Sequence, residues 1–322
     1  MQPSIVLQYL AYFDILQKPM TMKKAIIRMC VMATIITAPA FAQELYIVSK
    51  AAANISKNRI EVRNIAKSYD QMKAFHYDFQ LNYGLLGNLT LYNNVTYTID
   101  ENYQFLGNYN VDARYRFLDI DKRNYHWRFA YQGGATIPVN PKPIVSGEVE
   151  YELHPGHKVS FYEFGGDITV PSVDFHTTDN YTIRNSVIAT NLIGKFAATG
   201  EMSYNVNIAG NDFKFGNYYE WDLSLGLLVL PKVYKSYDDI NVNLYSESKA
   251  YYFEKNKFLG EEISNSGGFR LDTYLGVQAI FFSSLMAELS YMIPLHSNEY
   301  VETKIAERST SLLLSLRYLF FL

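Results

Sequence analysis

Charged side chains recur at every second position in several aromatic-rich stretches of this sequence, and they are the first candidates for chemistry. Carboxylates and guanidiniums that point to one side of extended strands can pair with one another across an enclosed space. Two arrangements are possible: a polar passage with a charged constriction, or a plug of salt bridges that closes a narrow interior. The ten candidates are Asp112, Arg114, Arg116, Arg128, Glu220, Asp222, Arg270, Asp272, Glu288 and Arg317.

Two histidines, His76 and His126, fall on the same polar faces and point to hydrolysis as an alternative. A hydrolase needs a nucleophile beside its base and a third group that orients the base. The sequence has no local Ser/His/Asp or Gly-x-Ser-x-Gly pattern, so we do not expect an enzyme. His154, His157 and His176 lack the spacing of a standard metal site, and we expect no metal or cofactor.

The stretches that carry the charges alternate between apolar and polar residues. Phe75–Tyr83 is the clearest, with apolar or aromatic residues at odd positions and polar residues at even positions. This period of two predicts a β-strand, because a helix repeats every ~3.6 residues. The same reading predicts about twelve strands, at residues 58–66, 75–83, 88–98, 108–117, 125–132, 180–192, 201–208, 219–229, 240–251, 269–279, 285–295 and 308–322.

The connections between these strands alternate in length. Short ones fall at 84–87, 119–124, 194–195 and 282–284, and long ones at 67–74, 99–107, 138–179, 208–217, 252–268 and 296–307. By register, the connection at 231–239 lies on the same rim as the short ones, but it is longer than they are. Short turns on one rim and long loops on the other are typical of outer-membrane β-barrels.

The loop at 138–179 contains a further pair of strand-like segments. Glu148–Leu153 and Lys158–Phe164 flank a His-Pro-Gly turn, which favours a hairpin. If this hairpin joined the wall, the strand count would rise from twelve to fourteen.

Composition narrows the class of protein. Aromatic residues make up 16% of the 322 residues, charged residues 19%, and the net charge is −3. The aromatic content argues against disorder, and the mildly acidic balance argues against nucleic acid as a partner. Outside the N-terminal region the apolar residues are dispersed rather than gathered into the runs of roughly 20 that a transmembrane helix needs.

The N-terminal region reads as an export signal. Residues 20–42 combine Lys23, Lys24 and Arg28 with a short apolar stretch and the small-x-small site Ala40-Phe41-Ala42, which predicts a secretory signal peptide. Residues 1–19 then represent a misassigned translation start. Cys30 is removed with the signal, so the mature chain has no cysteine and another device, such as a closed sheet, must hold it together. We expect residues 43–57 to form a periplasmic N-terminal segment.

Three features favour a membrane barrel over a soluble β-sandwich, which would also alternate. Aromatic residues cluster at strand ends, as in the girdles of membrane barrels. The opposite face is heavily charged, which suits a wet interior. The last strand, 308–322, places Leu312, Leu314, Leu316, Tyr318 and Phe320 on one face, which resembles the assembly signal of outer-membrane barrels.

These features predict an all-β, antiparallel transmembrane β-barrel over residues 58–322, located in the cell outer membrane. The expected partners are outer-membrane lipid, the barrel-assembly machinery through strand 308–322, and a small-molecule solute.

Two blocks in the second half of the chain resemble a known family. They are Ser224–Tyr234 and the set Asn265–Gly268, Leu275–Gln278 and Met292–Leu295. They are similar to the outer-membrane family named for the meta-cleavage pathway of phenol degradation. The resemblance implies movement of aromatic or other small hydrophobic compounds, and it brings no catalytic residues.

Three functions follow as hypotheses. The first is a porin-like transporter that passes a small solute through a charged lumen. The second is a closed structural or surface-interaction barrel that acts through its extracellular loops, and the third is a barrel hydrolase. A barrel of about eight strands is filled by side chains while one of sixteen or more leaves a channel, so twelve strands do not decide between passage and plug.

Overall fold

The computed structural model describes most of the chain from Tyr46 onward. The described residues are 46–69, 74–99, 104–123, 125–139, 145–154, 157–164, 180–209, 213–233, 236, 239–262, 266–298, 300–301, 304–305 and 310–321. The predicted signal peptide and the residues before it lie outside this part of the chain. Within it, no helix has the length and apolar character needed to cross a bilayer.

Twelve long strands form the wall of the molecule. They are β1 (Arg59–Tyr69), β2 (Ala74–Leu86), β3 (Leu89–Ile99), β4 (Gln104–Lys122), β5 (Tyr125–Pro138), β8 (Asn180–Ile193), β9 (Phe196–Ala209), β11 (Tyr218–Leu230), β12 (Asn241–Phe253), β15 (Gly268–Phe281), β16 (Leu285–Ser297) and β19 (Ser311–Phe321).

Seven shorter or separate strands lie in the connections. They are β6 (Val145–His154), β7 (His157–Phe164), β10 (Phe213–Lys214), β13 (Lys257–Phe258), β14 (Glu261–Glu262), β17 (Tyr300–Val301) and β18 (Lys304–Ile305). β10, β13 and β14 form a small sheet of their own, and β17 pairs with β18.

The twelve wall strands form one closed antiparallel barrel. Neighbours in sequence are neighbours in the wall, and β1 pairs with β19 to close it. The closing register runs from Arg59 opposite Phe321 to Lys67 opposite Leu313. The predicted all-β barrel and its strand count are therefore confirmed. The alternation located the strands because each one has a wet face and an apolar face.

The predicted hairpin in the long loop forms, but it stays out of the wall. β6 and β7 pair with each other, from Val145 opposite Phe164 to His154 opposite His157. β5 and β8 pair directly along their length, starting at Tyr125 opposite Ile193. This direct pairing leaves no free edge for the hairpin, so the fourteen-strand alternative is wrong.

The two rims differ as the sequence predicted. The connections of β2 to β3, β4 to β5, β8 to β9 and β15 to β16 each span two or three residues, and the β11 to β12 connection is the long exception. On the other rim, two predicted loops are shorter than expected because β1, β2, β3 and β4 extend beyond the predicted bounds. The short-turn rim is the periplasmic one in barrels of this type.

The two faces of the wall carry opposite chemistry. On β11, Leu223 is 57% exposed on the outside, while its neighbour Asp222 is 5% exposed on the inside. Leu314, Ile183 and Phe79 are likewise exposed on the outer face. No second sheet packs on the described wall, which excludes the soluble sandwich. A closed wall with this apolar exterior is a transmembrane β-barrel of the outer-membrane type.

The buried core of the molecule lies inside the barrel and is built partly from the N-terminus. Residues Tyr46–Ser56, which we call the lumenal segment, lie within the barrel, whereas the sequence analysis assigned 43–57 to the periplasm. Tyr46, Ile47, Ala51 and Ala53 are buried in one cluster with Ile65 and with Ala197, Tyr245 and Leu313 of the wall. The segment has no strand period, because its peptide groups bond to side chains of the wall rather than to the backbone of a neighbouring strand.

A glycine on β2 makes room for the entry of this segment at the short-turn rim. A Cβ at Gly84 would collide with the carbonyl oxygen of Ser56 and would lie 2.6 Å from that of Ile55. Asn58 then turns the chain into β1 with a left-handed backbone (φ 59°), and its N–H donates to the Gly84 carbonyl at 2.9 Å.

The outward face of β11 gives the first prediction. Leu223→Arg places a charge near the middle of the apolar band and should lower the free energy of unfolding by roughly 2–4 kcal/mol. Val229→Arg, the control near the short-turn rim, should cost about 0–1 kcal/mol. The measurement is urea unfolding of both variants in lipid vesicles. Equal costs at the two positions would contradict the assignment of a lipid-facing wall.

Candidate functional site in the barrel lumen

The lumenal segment crosses the barrel from one wall to the opposite wall. Its Ile55 N–H donates to Thr90 Oγ1 on β3, and its Ser49 N–H donates to Glu247 on β12. β3 and β12 are separated by six steps around the twelve-stranded ring in either direction. The segment therefore spans the lumen at its full width.

The peptide N–H groups of the segment are bound by side chains of the wall. Glu247 accepts three consecutive ones: Ile47 at 3.1 Å, Val48 at 3.1 and 3.2 Å, and Ser49 at 2.6 Å. Thr190 Oγ1 accepts from Ala52 at 2.8 Å and Thr90 Oγ1 from Ile55 at 3.0 Å. Buried donors need such partners, and here the wall supplies them in place of secondary structure.

The carbonyl groups of the segment are bound by three arginines. Arg63 Nη2 donates to the Ile47 carbonyl at 2.5 Å, and Arg317 Nη2 donates to the Tyr46 carbonyl at 3.2 Å. Arg114 Nη1 donates to the carbonyls of Ala51 at 2.8 Å and Ala53 at 3.0 Å. Guanidiniums suit this task because their fork of donors can serve a carbonyl and a carboxylate at once.

The side chains of the segment add contacts of a second kind. Lys50 Nζ lies 2.7 Å from Glu201 Oε1. The Tyr46 ring packs edge-on against Tyr245 with centroids 5.4 Å apart, and its hydroxyl accepts from Thr199 at 3.1 Å. Ile47 occupies the space left by Gly276, where a Cβ would lie 2.5 Å from Ile47 Cδ1.

An ion network fixes the positions of Arg63 and Arg317, two of the arginines that bind the segment. Glu288 lies 2.7 Å from Arg63 and 3.0 Å from Arg317, and it accepts from Gln278 at 2.8 Å. Arg317 also lies 3.6 Å from Glu61. Paired and hydrogen-bonded charges are the form in which ions tolerate burial. Glu288 thus joins β16 to β1, β15 and β19 beneath the segment.

A second set of ion pairs lines the lumen toward the long-loop rim. Lys249 lies 2.8 Å from Glu220 and 3.0 Å from Asp222. Arg184 holds Asp112 with two contacts, of 2.7 and 3.2 Å, and a Cβ at Gly134 would collide with that carboxylate. These pairs leave this part of the lumen polar.

Aromatic rings support Arg270 on the inner face of β15. The Arg270 guanidinium lies 4.2 Å from the Tyr251 ring centroid and 5.5 Å from that of Phe253, and its Nε lies 3.5 Å from Asp272. Stacking on aromatic faces holds a guanidinium in place without neutralising it.

The ten predicted residues fall into three groups, all on the inner face or its periplasmic rim. Arg114, Glu288 and Arg317 act on or under the lumenal segment. Asp112, Glu220, Asp222, Arg270 and Asp272 lie nearer the long-loop rim. Arg116 and Arg128 lie together at the short-turn rim, with Asp119 at 3.0 Å from Arg116 and 3.6 Å from Arg128.

The histidines contact carboxylates rather than each other. His76 Nε2 lies 3.2 Å from Asp78 within the lumen, and His126 Nδ1 lies 2.6 Å from Asp121 at the short-turn rim. The structure describes no cluster of histidine, cysteine, aspartate and glutamate suited to a metal in the ranges it covers. The side chains of His154 and His157, and all of His176, lie outside the described residues.

Sequence reasoning missed the lumenal segment and two of its main partners, Arg63 and Glu247. Both lie on strands with weak alternation, and their partners are 16 and 200 residues away. The signal that was available is Gly276, which lies in one of the blocks that carry the family resemblance and faces Ile47.

Comparisons with known proteins support the fold. No family model and no curated protein matches the sequence. The structure resembles that of an outer-membrane channel from Pseudomonas putida F1, with a TM-score of 0.57 and 10% identity over 86% of this chain and 100% of that one. The NanC porin covers 80% of this chain and 98% of its own, with a TM-score of 0.47 and 8% identity. At 10% identity the likeness to the P. putida channel shows a shared barrel fold and nothing beyond the fold. The TM-score of the NanC porin is too low to support a conclusion.

Glu247 gives a prediction about the lumenal segment. Glu247→Ala should speed hydrogen–deuterium exchange of the amides of residues 47–49 by at least ~10-fold, because hydrogen bonds to a charged acceptor contribute roughly 1.5–3 kcal/mol. The measurement is exchange followed by mass spectrometry in detergent. Glu262→Gln, on the exposed β14, is the control and should leave exchange of this segment unchanged. Unaltered exchange in Glu247→Ala would show that the carboxylate does not hold the segment.

Proposed function

We propose that this protein is an outer-membrane channel whose lumen is occluded by the lumenal segment and opens when that segment leaves. One observation carries the proposal: the segment crosses the full lumen and yet forms no strand of the wall. Its removal would leave the closed β1–β19 barrel intact. A filling that is separable from the wall is what a gate requires, whereas side chains of the wall itself could not be withdrawn.

The lining of the lumen favours a small polar or charged solute. The inner face carries ion pairs and amide or hydroxyl side chains along its height. They include Asn94, Thr96, Asn108, Asn110, Thr136, Thr182, Ser203, Asn205 and Asn207. An apolar solute would have to displace water from these groups without replacing their hydrogen bonds. The hydrophobic cargo implied by the resemblance to the phenol-pathway family, and membership of that family, stay predictions.

A second candidate is the closed structural or surface-interaction barrel. The ion network around Glu288 favours it, because the network links four strands beneath the segment and strengthens the closed state. The long-loop rim, with its β6–β7 hairpin, would then carry the function. Deletion of residues 140–176 without any phenotype would count against this candidate.

Single-channel recording in planar lipid bilayers separates the two. A variant lacking residues 46–56 should conduct several-fold more current than the intact protein, because the obstruction is gone while the wall remains. Ala52→Trp should also raise conductance. Ala52 is fully buried, so the larger ring cannot fit and should displace the segment from the lumen.

Ala198→Trp is the matched control, with the same chemical change on the outward face of β9, where interfacial tryptophan is tolerated. Its conductance should equal that of the intact protein. If both opened variants fold, as judged by heat-dependent migration on gels, yet conduct no more than the intact protein, the channel proposal is wrong and the closed barrel is favoured.

A further inference from the structure

The wall recognises the lumenal segment mainly through its peptide backbone. Five N–H groups, those of residues 47, 48, 49, 52 and 55, donate to wall side chains. Four carbonyls, those of residues 46, 47, 51 and 53, accept from wall arginines. Backbone recognition is largely independent of sequence, since every peptide offers the same donors and acceptors.

The side chains of the segment are small at its centre. Ala51, Ala52 and Ala53 are all buried, between the hydrogen bonds of Thr190 and Arg114. Lys50 supplies one charge, which Glu201 matches across 2.7 Å. The lumen therefore accommodates three small residues, with one acidic position beside them and polar groups of both signs placed along the path of the segment.

Departure of the segment would leave these groups without their partners. Glu247 would face the lumen with no donor in place of three amides, and Arg63, Arg114 and Arg317 would lose the carbonyls they bind. A single ion could satisfy groups of one sign only, and water would have to be ordered at each group separately. A peptide supplies donors and acceptors together, in the order in which the wall presents them.

We propose that the lumen is a binding site for short peptides that follow the backbone path of the lumenal segment and carry small side chains at its centre, and that the lumenal segment occupies this site within the same chain. The proposal rests on the proposed channel and names its substrate class. In the opened barrel, Glu247 and the two threonines receive peptide N–H groups, the three arginines receive carbonyls or a terminal carboxylate, and Glu201 receives a lysine or an N-terminal ammonium.

The test adds peptide to the variant that lacks residues 46–56 and records conductance. The probe is the synthetic peptide Tyr-Ile-Val-Ser-Lys-Ala-Ala-Ala-Asn-Ile-Ser, which reproduces residues 46–56. It should close the open channel reversibly and in proportion to its concentration. Should the deletion variant fail to fold, Ala52→Trp provides an open barrel from the full chain.

Two modified peptides separate backbone from side-chain recognition. Methylation of the backbone nitrogens that correspond to Val48 and Ser49 should weaken the block by at least ~10-fold, because the methyl groups remove hydrogen bonds to a charged acceptor. Alanine in place of Tyr46, Val48 and Asn54 should weaken it less. The reverse order of effects would overturn the inference.

The wall provides the matching control. Glu247→Gln in the deletion variant should weaken the block by the unmodified peptide, and Glu262→Gln should not. Liposome swelling then tests passage: trialanine should enter through the opened barrel faster than an uncharged sugar of similar mass, and equal rates would overturn the substrate class.

Failure of the inference is distinguishable from failure of the proposed function. If the opened variants conduct and the peptide has no effect at millimolar concentration, the channel stands and the peptide site is wrong. If they fold and do not conduct, the channel itself is wrong and the peptide site loses its basis.

Discussion

The structure depends on one constraint: polar backbone groups that are removed from water must find partners within the protein. In the wall, the lipid on the outside enforces this, and only a sheet without edges meets it. The pairing of β1 with β19 provides that closure, and the chain has no cysteine after Cys30 to assist it. Aromatic and aliphatic side chains then cover most of the outside, while the ion pairs of the wall face inward.

The same constraint governs the interior in a different form. The peptide groups of the lumenal segment form no hydrogen-bond ladder with a strand, and the buried ions of the wall are removed from water. The two sets bond to each other: Glu247 accepts from amides, and Arg63, Arg114 and Arg317 donate to carbonyls. This mutual dependence explains how a twelve-stranded barrel, wide enough to hold more than its own side chains, is filled by an irregular segment in the part of the chain that the structure describes.

The arrangement also suits the release that we propose. Much of the contact is polar and made to a single length of chain, so water, ions or another peptide can replace those hydrogen bonds one by one. The apolar cluster around Tyr46 and Ile47 offers no such exchange, because its energy comes from the exclusion of water. In the proposed opening, the polar groups that hold the segment define what the emptied lumen would bind.

Local patterns of the sequence predict much of this fold. A period of two residues predicted about twelve strands, with fourteen as the alternative, and which side of each strand faces lipid, because the pleat alternates side chains whatever the strand pairs with. Thus Asp222 and Leu223 could be placed on opposite faces before their neighbours were known. What local pattern could not supply is partnership across the lumen: Ser49 and Glu247 are 198 residues apart, and neither belongs to a motif. Segment Tyr46–Ser56 has no period because its environment changes from strand to strand, so only the closed barrel, which brings β3, β12 and the N-terminus together, decided that the lumen is filled and by what.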